Sequence, residues 1–260
     1  MRGWWQDLSD LVLPAQCAGC GRSRTTLCAR CSAALLGAAA SRVRPRPEPP
    51  GLPVVHAAAP YRDAVRAVLL AHKERGALGL SGPLGAALAS AVREGLRIPG
   101  GAGSVALVPV PSSPRAVRAR GHDPTRRIAY AAAAELRRAG VPVRVLAVLR
   151  QRRPVADQSG LDARQRMANV TGAMEVVGGG SGLLAEVGRI TLVDDLMTTG
   201  ASLAEAARAL RVAADSSRTG RRAGRMESAH SAVGPEMPGP VTVQAAVVAG
   251  SPDSFEINRN

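Results

Sequence analysis

The chain has 260 residues and a formal net charge of +14, with 34 basic and 20 acidic side chains. Such a charge ordinarily indicates nucleic acid or another acidic ligand, but nearly all of it is arginine, since Lys73 is the only lysine. This bias indicates compositional drift, and with 2% aromatic residues a stacking platform for single-stranded DNA would be hard to assemble. The length suits one well-packed core with a small module at one end.

No targeting or membrane-spanning segment is recognisable. The first residues contain no continuous apolar stretch of signal-peptide length, because Gln6, Asp7 and Ser9 interrupt it. The uncharged stretch 77–92 contains Gly79 and proline and falls short of a membrane span. We therefore expect a cytoplasmic protein with no membrane span.

The four cysteines form two C-x2-C pairs separated by seven residues, and we take them as the metal ligands Cys17, Cys20, Cys28 and Cys31. Two such pairs suit a tetrahedral Zn²⁺ ion, and Gly19 and Gly21 relieve crowding in the first turn. Two disulfides are the alternative, with three connectivities, but no secretory context supports them. We expect residues 1–40 to form a zinc-binding module in which the ion is structural.

The main domain is predicted to be α/β. A proline- and arginine-rich segment, 41–53, is predicted to be a linker, and residues 54–260 then alternate strands with helices. This alternation predicts a mostly parallel sheet covered by helices on both faces. The predicted helices are 61–73, 80–96 and 124–138, and the predicted strands are 104–110, 143–149, 190–193 and 241–249. Residues 214–240 lack apolar periodicity and are predicted to be a disordered insertion.

The most informative segment is the strand, turn and helix over residues 190–203. Its apolar run ends at Val193, and Asp194 and Asp195 follow it, so these carboxylates are expected at the carboxyl edge of the sheet. Two adjacent carboxylates can accept hydrogen bonds from a vicinal diol. The small-residue turn that follows can surround a phosphate in front of a helix N-terminus. The turn residues are Thr198, Thr199, Gly200, Ala201 and Ser202. The segment is typical of a sugar-phosphate site.

The helix after this turn is predicted to begin with a capping box. Ser202 and Glu205 have the Ser-x-x-Glu spacing, and Leu203 and Leu210 lie on one apolar face. An ordinary strand end with turn and cap residues is the alternative interpretation of the whole segment.

A second anion-binding turn is predicted after the strand 104–110. Ser112, Ser113 and Arg115 are candidates for a pyrophosphate clamp, and Arg118 and Arg120 follow closely. Arginine forks match phosphate oxygens, so these side chains suit a diphosphate. Exposed charges flanking a helix are an equally good interpretation.

The polar stretch 150–169 is a candidate lid. Gln158, Arg166 and Asn169 lie between predicted strands, where a lid could exclude water from a reactive sugar. A plain connecting loop with a short helix is the alternative.

The run from Ile190 to Leu203 resembles the phosphoribosyl-pyrophosphate (PRPP) signature of type I phosphoribosyltransferases. With the cysteine pairs, Lys73, the Pro-Val-Pro turn and the final Ala-Val-Val-Ala-x-x-Pro-Asp-Ser-Phe, the chain resembles the competence protein F (ComF-like) family. The resemblance implies a type I phosphoribosyltransferase fold and PRPP and Mg²⁺ as ligands. It implies that Asp194 and Asp195 bind the ribose hydroxyls while the 198–202 turn binds the 5-phosphate. The family continues Arg-Gly with Phe-Asn-Gln, whereas this chain has His122-Asp-Pro.

Two functions remain open at this stage. The first is a phosphoribosyltransferase that transfers the phosphoribosyl group to a nitrogen acceptor and releases pyrophosphate. No residue stands out as its general base, and Arg118, Arg120 and Lys73 are the catalytic candidates. The second is a factor associated with DNA uptake, with single-stranded DNA or the uptake machinery as partner and a regulatory or vestigial PRPP site. The sequence does not identify the acceptor.

Overall fold

The centre of the protein is a six-stranded, mostly parallel sheet. The computed structural model describes residues 16–98, 103–155, 162–226 and 242–255. The strands are β1 (Ser41–Val43), β2 (Val55–Pro60), β3 (Val105–Pro109), β4 (Val143–Val145), β5 (Leu149–Gln151), β6 (Met174–Val176), β7 (Arg189–Met197) and β8 (Thr242–Gly250). The sheet order is β1-β2-β8-β7-β3-β4, in which only β1 is antiparallel to its neighbour. Strands β5 and β6 form a separate antiparallel pair.

Helices connect these strands. They are α1 (Ala29–Leu36), α2 (Asp63–Glu74), α3 (Ser81–Leu96), α4 (Pro114–Arg120), α5 (Pro124–Arg138), α6 (Ala163–Val170), α7 (Gly180–Ala185) and α8 (Ala201–Met226). Asp123 caps α5 by accepting a hydrogen bond from the backbone N–H of Arg126, and Pro124 takes the first helical position, as predicted. Within the described part of the chain, no helix is both long and apolar enough to cross a membrane.

Helices cover both faces of the sheet, which confirms the predicted layering. Along β3, Leu107 belongs to the core under α2, α3 and α5, whereas Val108 belongs to the core under α8. This alternation is what a strand buried on both faces requires. On the first face α3 and α5 pack so closely that a Cβ on Gly85 would lie 2.4 Å from the Cβ of Ala131.

The sheet order places the switch point of the connections between β3 and β7. The chain leaves β3 towards β4 on one side and leaves β7 towards β8 on the other, so the connections diverge at these two neighbouring strands. Open α/β sheets bind ligands outside the carboxyl ends of strands at such a point. The pairing of β3 with β7 ends at Pro109 and Val193, and β7 continues along β8 to Met197. The Asp194–Asp195 pair therefore lies immediately past the β3–β7 ladder.

The expected linker 41–53 is partly ordered structure. Residues 41–43 form the edge strand β1, and the side chain of Val43 is buried. Farther along, Arg44 N–H donates to the carbonyl of Ser254, and a guanidinium N–H of Arg211 donates to the carbonyl of Gly51. This edge strand has a single buried residue, Val43, so its apolar pattern was too short to predict a strand in a segment rich in proline.

Two other boundaries differ from prediction. The strand predicted over 143–149 is two strands, since β4 joins the main sheet and β5 leaves it to pair with β6. Helix α8 extends to Met226, so the first part of the expected disordered insertion 214–240 is helical. Residues 227–240 of that insertion lie outside the described residues.

Candidate functional site

The turn 198–202 lies at the N-terminus of α8, where a phosphate site was predicted. Gly200 has φ +76, a left-handed conformation that favours glycine, and the helix begins at the next residue. Among the described residues, the hydroxyls of Thr199 and Ser202 have no hydrogen-bond partner. The turn therefore combines hydroxyls without a partner in the described structure with the positive end of a helix dipole, and this combination suits an anion.

The acidic pair lies within β7, three residues before this turn. Asp194 Oδ1 accepts hydrogen bonds from the backbone N–H of Asp195 (2.9 Å) and from the hydroxyl of Thr125 (3.4 Å). Asp195 Oδ2 accepts one from Lys73 Nζ at 2.8 Å. Thr125 and Lys73 thus each bind one carboxylate of the pair. Since Thr125 lies at the start of α5 and Lys73 near the end of α2, the pair is held by elements far away in sequence.

The environment of the pair is unusually enclosed for charged groups. The Asp195 side chain is 5% exposed and that of Lys73 is 34% exposed. Desolvation of the carboxylate, reinforced by the charge of Asp195, raises the pKa of Asp194 well above its ordinary value. Burial alone would lower the pKa of Lys73, but Asp195 and Asp194 outweigh it and raise this pKa. Lys73 is therefore a fixed cation that partly neutralises two carboxylates.

The predicted pyrophosphate clamp is only partly assembled. Ser113 caps α4 by accepting from the N–H of Ala116, and the Ser112 hydroxyl lies 3.5 Å from Asp123 Oδ1. Arg115 and Arg118 are exposed on α4. The hydroxyls of the two serines thus make hydrogen bonds within this segment, and the side chains of Arg115 and Arg118 are exposed to solvent.

Arg120 has a different environment from the other arginines of α4. Its Nε and Nη2 donate to the two carboxylate oxygens of Glu74 at 2.9 and 2.8 Å. Glu74 is the neighbour of Lys73 at the end of α2. Helix α2 therefore contacts both the acidic pair and the clamp segment.

A histidine pair supports this junction. The rings of His72 and His122 meet edge to face, with centroids 5.9 Å apart, and His72 is completely buried. His122 Nδ1 lies 3.1 Å from the carbonyl oxygen of Arg120. The turn after α4 is thereby packed against α2.

Of the three residues predicted to form a lid, two lie on helix α6. Arg166, on α6, donates a hydrogen bond to the hydroxyl of Thr198 at 3.4 Å, so the structure brings it to the 198–202 turn. Asn169 lies on the same helix, and its carbonyl accepts a hydrogen bond from Arg153. Gln158 lies outside the described residues.

The four cysteines converge on one point. Their sulfur atoms all lie within 4.8 Å of one another, and those of Cys20 and Cys28 are 3.6 Å apart. A tetrahedral ion with metal–sulfur distances of about 2.3 Å places its sulfurs about 3.8 Å apart. The cluster therefore fits a tetrahedral metal ion, and a Cβ on Gly19 would lie only 2.7 Å from Cys31 Sγ.

The cysteine cluster packs against the main domain. Ala64, near the start of α2, contacts the cysteines, and Leu35 of α1 is 1% exposed within the same core as α2 and α3. Burial opposes ionisation of Cys17, but backbone N–H groups, first that of Cys28, lower its pKa to about 6. A thiolate is the form that binds a metal.

The predicted capping box is wrong. Helix α8 begins at Ala201, ahead of the expected cap, and Glu205 is buried inside the first turns. Its carboxylate accepts hydrogen bonds from Arg208 and from the backbone N–H of Met174 at 2.9 Å. Glu205 therefore ties β6 to α8. The apolar face through Leu203 is buried, as predicted.

Thr125, Glu74 and the His72–His122 pair were not among the predicted site residues. The sequence offered one signal for Thr125, which lies in the first turn of the helix that Asp123 and Pro124 were predicted to begin. Glu74 resembled any exposed residue on a helix. A scan of the chain against models of protein families gives no match, and a search of curated proteins gives none.

Proposed function

We propose that the chain is a ComF-like protein with a type I phosphoribosyltransferase fold that binds PRPP and transfers its phosphoribosyl group. One observation carries the proposal. Asp194 and Asp195 lie three residues before a glycine turn at the start of α8, next to the point in the mostly parallel sheet where the connections from β3 and β7 diverge. A sugar phosphate needs this combination of hydroxyl acceptors and anion donors within a few ångströms.

Each part of the edge has a role in this proposal. The 198–202 turn binds the 5-phosphate through backbone N–H groups and hydroxyls, with the α8 dipole behind them. The carboxylates of Asp194 and Asp195 accept hydrogen bonds from the ribose hydroxyls. Lys73 holds Asp195 in place at 2.8 Å, so the acceptor geometry exists before the ligand arrives.

The reaction forms a bond between an acceptor nitrogen and the anomeric carbon and breaks the bond from that carbon to the pyrophosphate oxygen. Pyrophosphate leaves with the bonding electrons, and the nitrogen loses its proton to solvent. The protein positions the reactants and stabilises developing charge. Mg²⁺ is held through one or two carboxylates and substrate phosphates, so Asp194 and Asp195 fit it. When bound, the ion neutralises charge on the leaving group.

Zn²⁺ is the ion that best suits the four-cysteine cluster, and its role here is structural. All four ligands are thiolates, which leaves no open coordination position for a substrate. The cluster also lies at the start of α2, whereas Lys73 and Glu74 lie at the other end.

Calorimetric titration with Mg²⁺ and PRPP tests the proposal. The zinc-loaded wild type is compared with an Asp194→Asn/Asp195→Asn variant. Hydrogen bonds to charged groups contribute about 1.5–3 kcal/mol each, so the variant should bind PRPP at least about tenfold more weakly. Pyrophosphate release with a panel of amines and bases then tests the transfer.

The control is Glu135→Gln, which removes an exposed carboxylate paired with Arg138 at the far end of α5. It should bind PRPP like the wild type. If the wild type does not bind PRPP, the transferase proposal is wrong, and a DNA-associated role with a vestigial site becomes the better hypothesis. Steeply salt-dependent binding of single-stranded DNA would support that role.

A further inference from the structure

The end of α2 neutralises one charged residue from each of the two groups predicted to bind PRPP. Lys73 pairs with Asp195, 122 positions away, and Glu74 pairs with Arg120, 46 positions away. The two ion pairs are neighbours, because Lys73 and Glu74 are consecutive residues at the end of α2. Two cations and two carboxylates from three elements thus meet at one junction.

We propose that Lys73 and Arg120 together form the binding site for the pyrophosphate group, and that Glu74 occupies the Arg120 fork until pyrophosphate displaces it. This inference rests on the proposed function and identifies residues for its diphosphate. A single arginine on α4 would be weak evidence, given how many arginines the chain carries. The evidence is the combination of a second nearby cation and an internal carboxylate bound in the manner of a phosphate.

The geometry of the Arg120–Glu74 pair supports the exchange. Both nitrogens, Nε and Nη2, donate to separate oxygens of one carboxylate, at 2.9 and 2.8 Å. Two oxygens of a phosphate group fit the same fork. Pyrophosphate can therefore replace the carboxylate without requiring Arg120 to adopt a new arrangement.

The two ion pairs differ in how easily they separate. The Glu74 side chain is 46% exposed, so water can solvate its carboxylate when it leaves Arg120. The Asp195 side chain is 5% exposed and would remain buried beside Lys73. Pyrophosphate should therefore displace Glu74, while Lys73 contacts the new anion and keeps its bond to Asp195.

The backbone beneath Arg120 is held independently of Glu74. The His122 ring packs against buried His72, and its Nδ1 lies 3.1 Å from the Arg120 carbonyl oxygen. Gly121 closes α4 in the left-handed conformation, with φ +76. Loss of the Glu74 carboxylate should free the guanidinium without moving its helix.

The test is titration of the full zinc-loaded chain with inorganic pyrophosphate and Mg²⁺. Displacing a partly exposed ion pair costs little, so Glu74→Gln should bind pyrophosphate about two- to fivefold more tightly than the wild type. Arg120→Gln should bind about tenfold more weakly, because it loses a charge-assisted pair. In an Arg120→Gln background, Glu74→Gln should have no further effect.

Glu135→Gln is the matched control, since it removes a glutamate of similar exposure, 38% against 46% for Glu74, from an ion pair with arginine. It should leave the pyrophosphate affinity unchanged. An unchanged or weaker affinity in Glu74→Gln would overturn the inference and make Glu74 a support for α4. PRPP titrations of the wild type and the Asp194/Asp195 variant, run in parallel, separate this failure from failure of the proposed function.

Discussion

Loss of the Lys73 ammonium should destabilise the protein, because the carboxylate of Asp195 would remain in its buried position without a cation. The side chains of Asp195 and Lys73 are 5% and 34% exposed, and their charged atoms are 2.8 Å apart. Removing one partner of a fully buried pair costs about 3–5 kcal/mol, whereas an exposed pair contributes about 0.2–1 kcal/mol.

The Lys73–Asp195 pair lies between these limits. One third of the lysine side chain faces water, so water can reach the carboxylate through the space that Lys73→Met opens. We therefore expect Lys73→Met to lower the free energy of unfolding by about 2 kcal/mol. Asp195→Asn should cost about 1 kcal/mol, because the remaining ammonium can reach solvent.

Urea denaturation of the zinc-loaded chain measures these changes. The Lys73→Met/Asp195→Asn variant contains no unpaired buried charge, so it should be more stable than Lys73→Met alone. Glu135→Gln, in an exposed pair, should remain within about 0.5 kcal/mol of the wild type. The reasoning is refuted if Lys73→Met costs less than about 0.5 kcal/mol, or if the two single costs simply add.

Three further predictions concern the turn, the cysteine cluster and the buried histidine. Gly200→Ala should lower the free energy of unfolding by about 1–2 kcal/mol and weaken PRPP binding, because φ at this position is +76 and a Cβ would lie 3.1 Å from the Leu52 side chain. Denaturation and calorimetry measure the two effects, and no change in either would contradict the interpretation that this turn requires glycine. Gly19→Ala should release Zn²⁺ faster to a chromogenic chelator, because its Cβ would crowd Cys31 Sγ; an unchanged rate would argue against this geometry. Burial, aided by the charge of His122, lowers the pKa of His72 to about 4. Below pH about 6.5 the unfolded chain therefore binds a proton at His72 that the folded chain does not bind, and the free energy of unfolding should fall by up to about 3 kcal/mol as the pH drops from 6.5 to 4. His72→Gln should flatten this pH dependence in denaturant titrations, and an equally steep curve would show that other groups cause it.

The main strands were predictable because strands buried on both faces are nearly continuous apolar runs. Strands β3, β7 and β8 were recognised in this way, and the start of α5 was recognised from Asp123 and Pro124. The run 143–149 was apolar as well, but whether its end joins the main sheet depends on β6, more than twenty residues later. Residues within one window cannot carry that information.

The candidate site shows the same division. The position of Asp194 and Asp195 beside the Thr-Thr-Gly turn was predictable, because strand, carboxylates, turn and helix follow one another directly. The capping box was wrong for a tertiary reason, since Glu205 has a backbone N–H of β6 to satisfy and lies buried beneath it. The Ser-x-x-Glu spacing favoured a capping box, but Glu205 instead accepts a hydrogen bond from Met174, which is distant in sequence.

The cysteine pairs, the acidic pair with its turn and the alternation of strands and helices are local patterns, and the sequence alone was sufficient to identify them. The tertiary structure decided which distant groups meet: Lys73 with Asp195, Arg120 with Glu74, and Thr125 with Asp194. These contacts depend on the order of strands in the sheet and on where α2 ends and α5 begins. An ion pair between residues far apart in sequence leaves no periodic or spacing signal in a single chain, so only the packed fold reveals it.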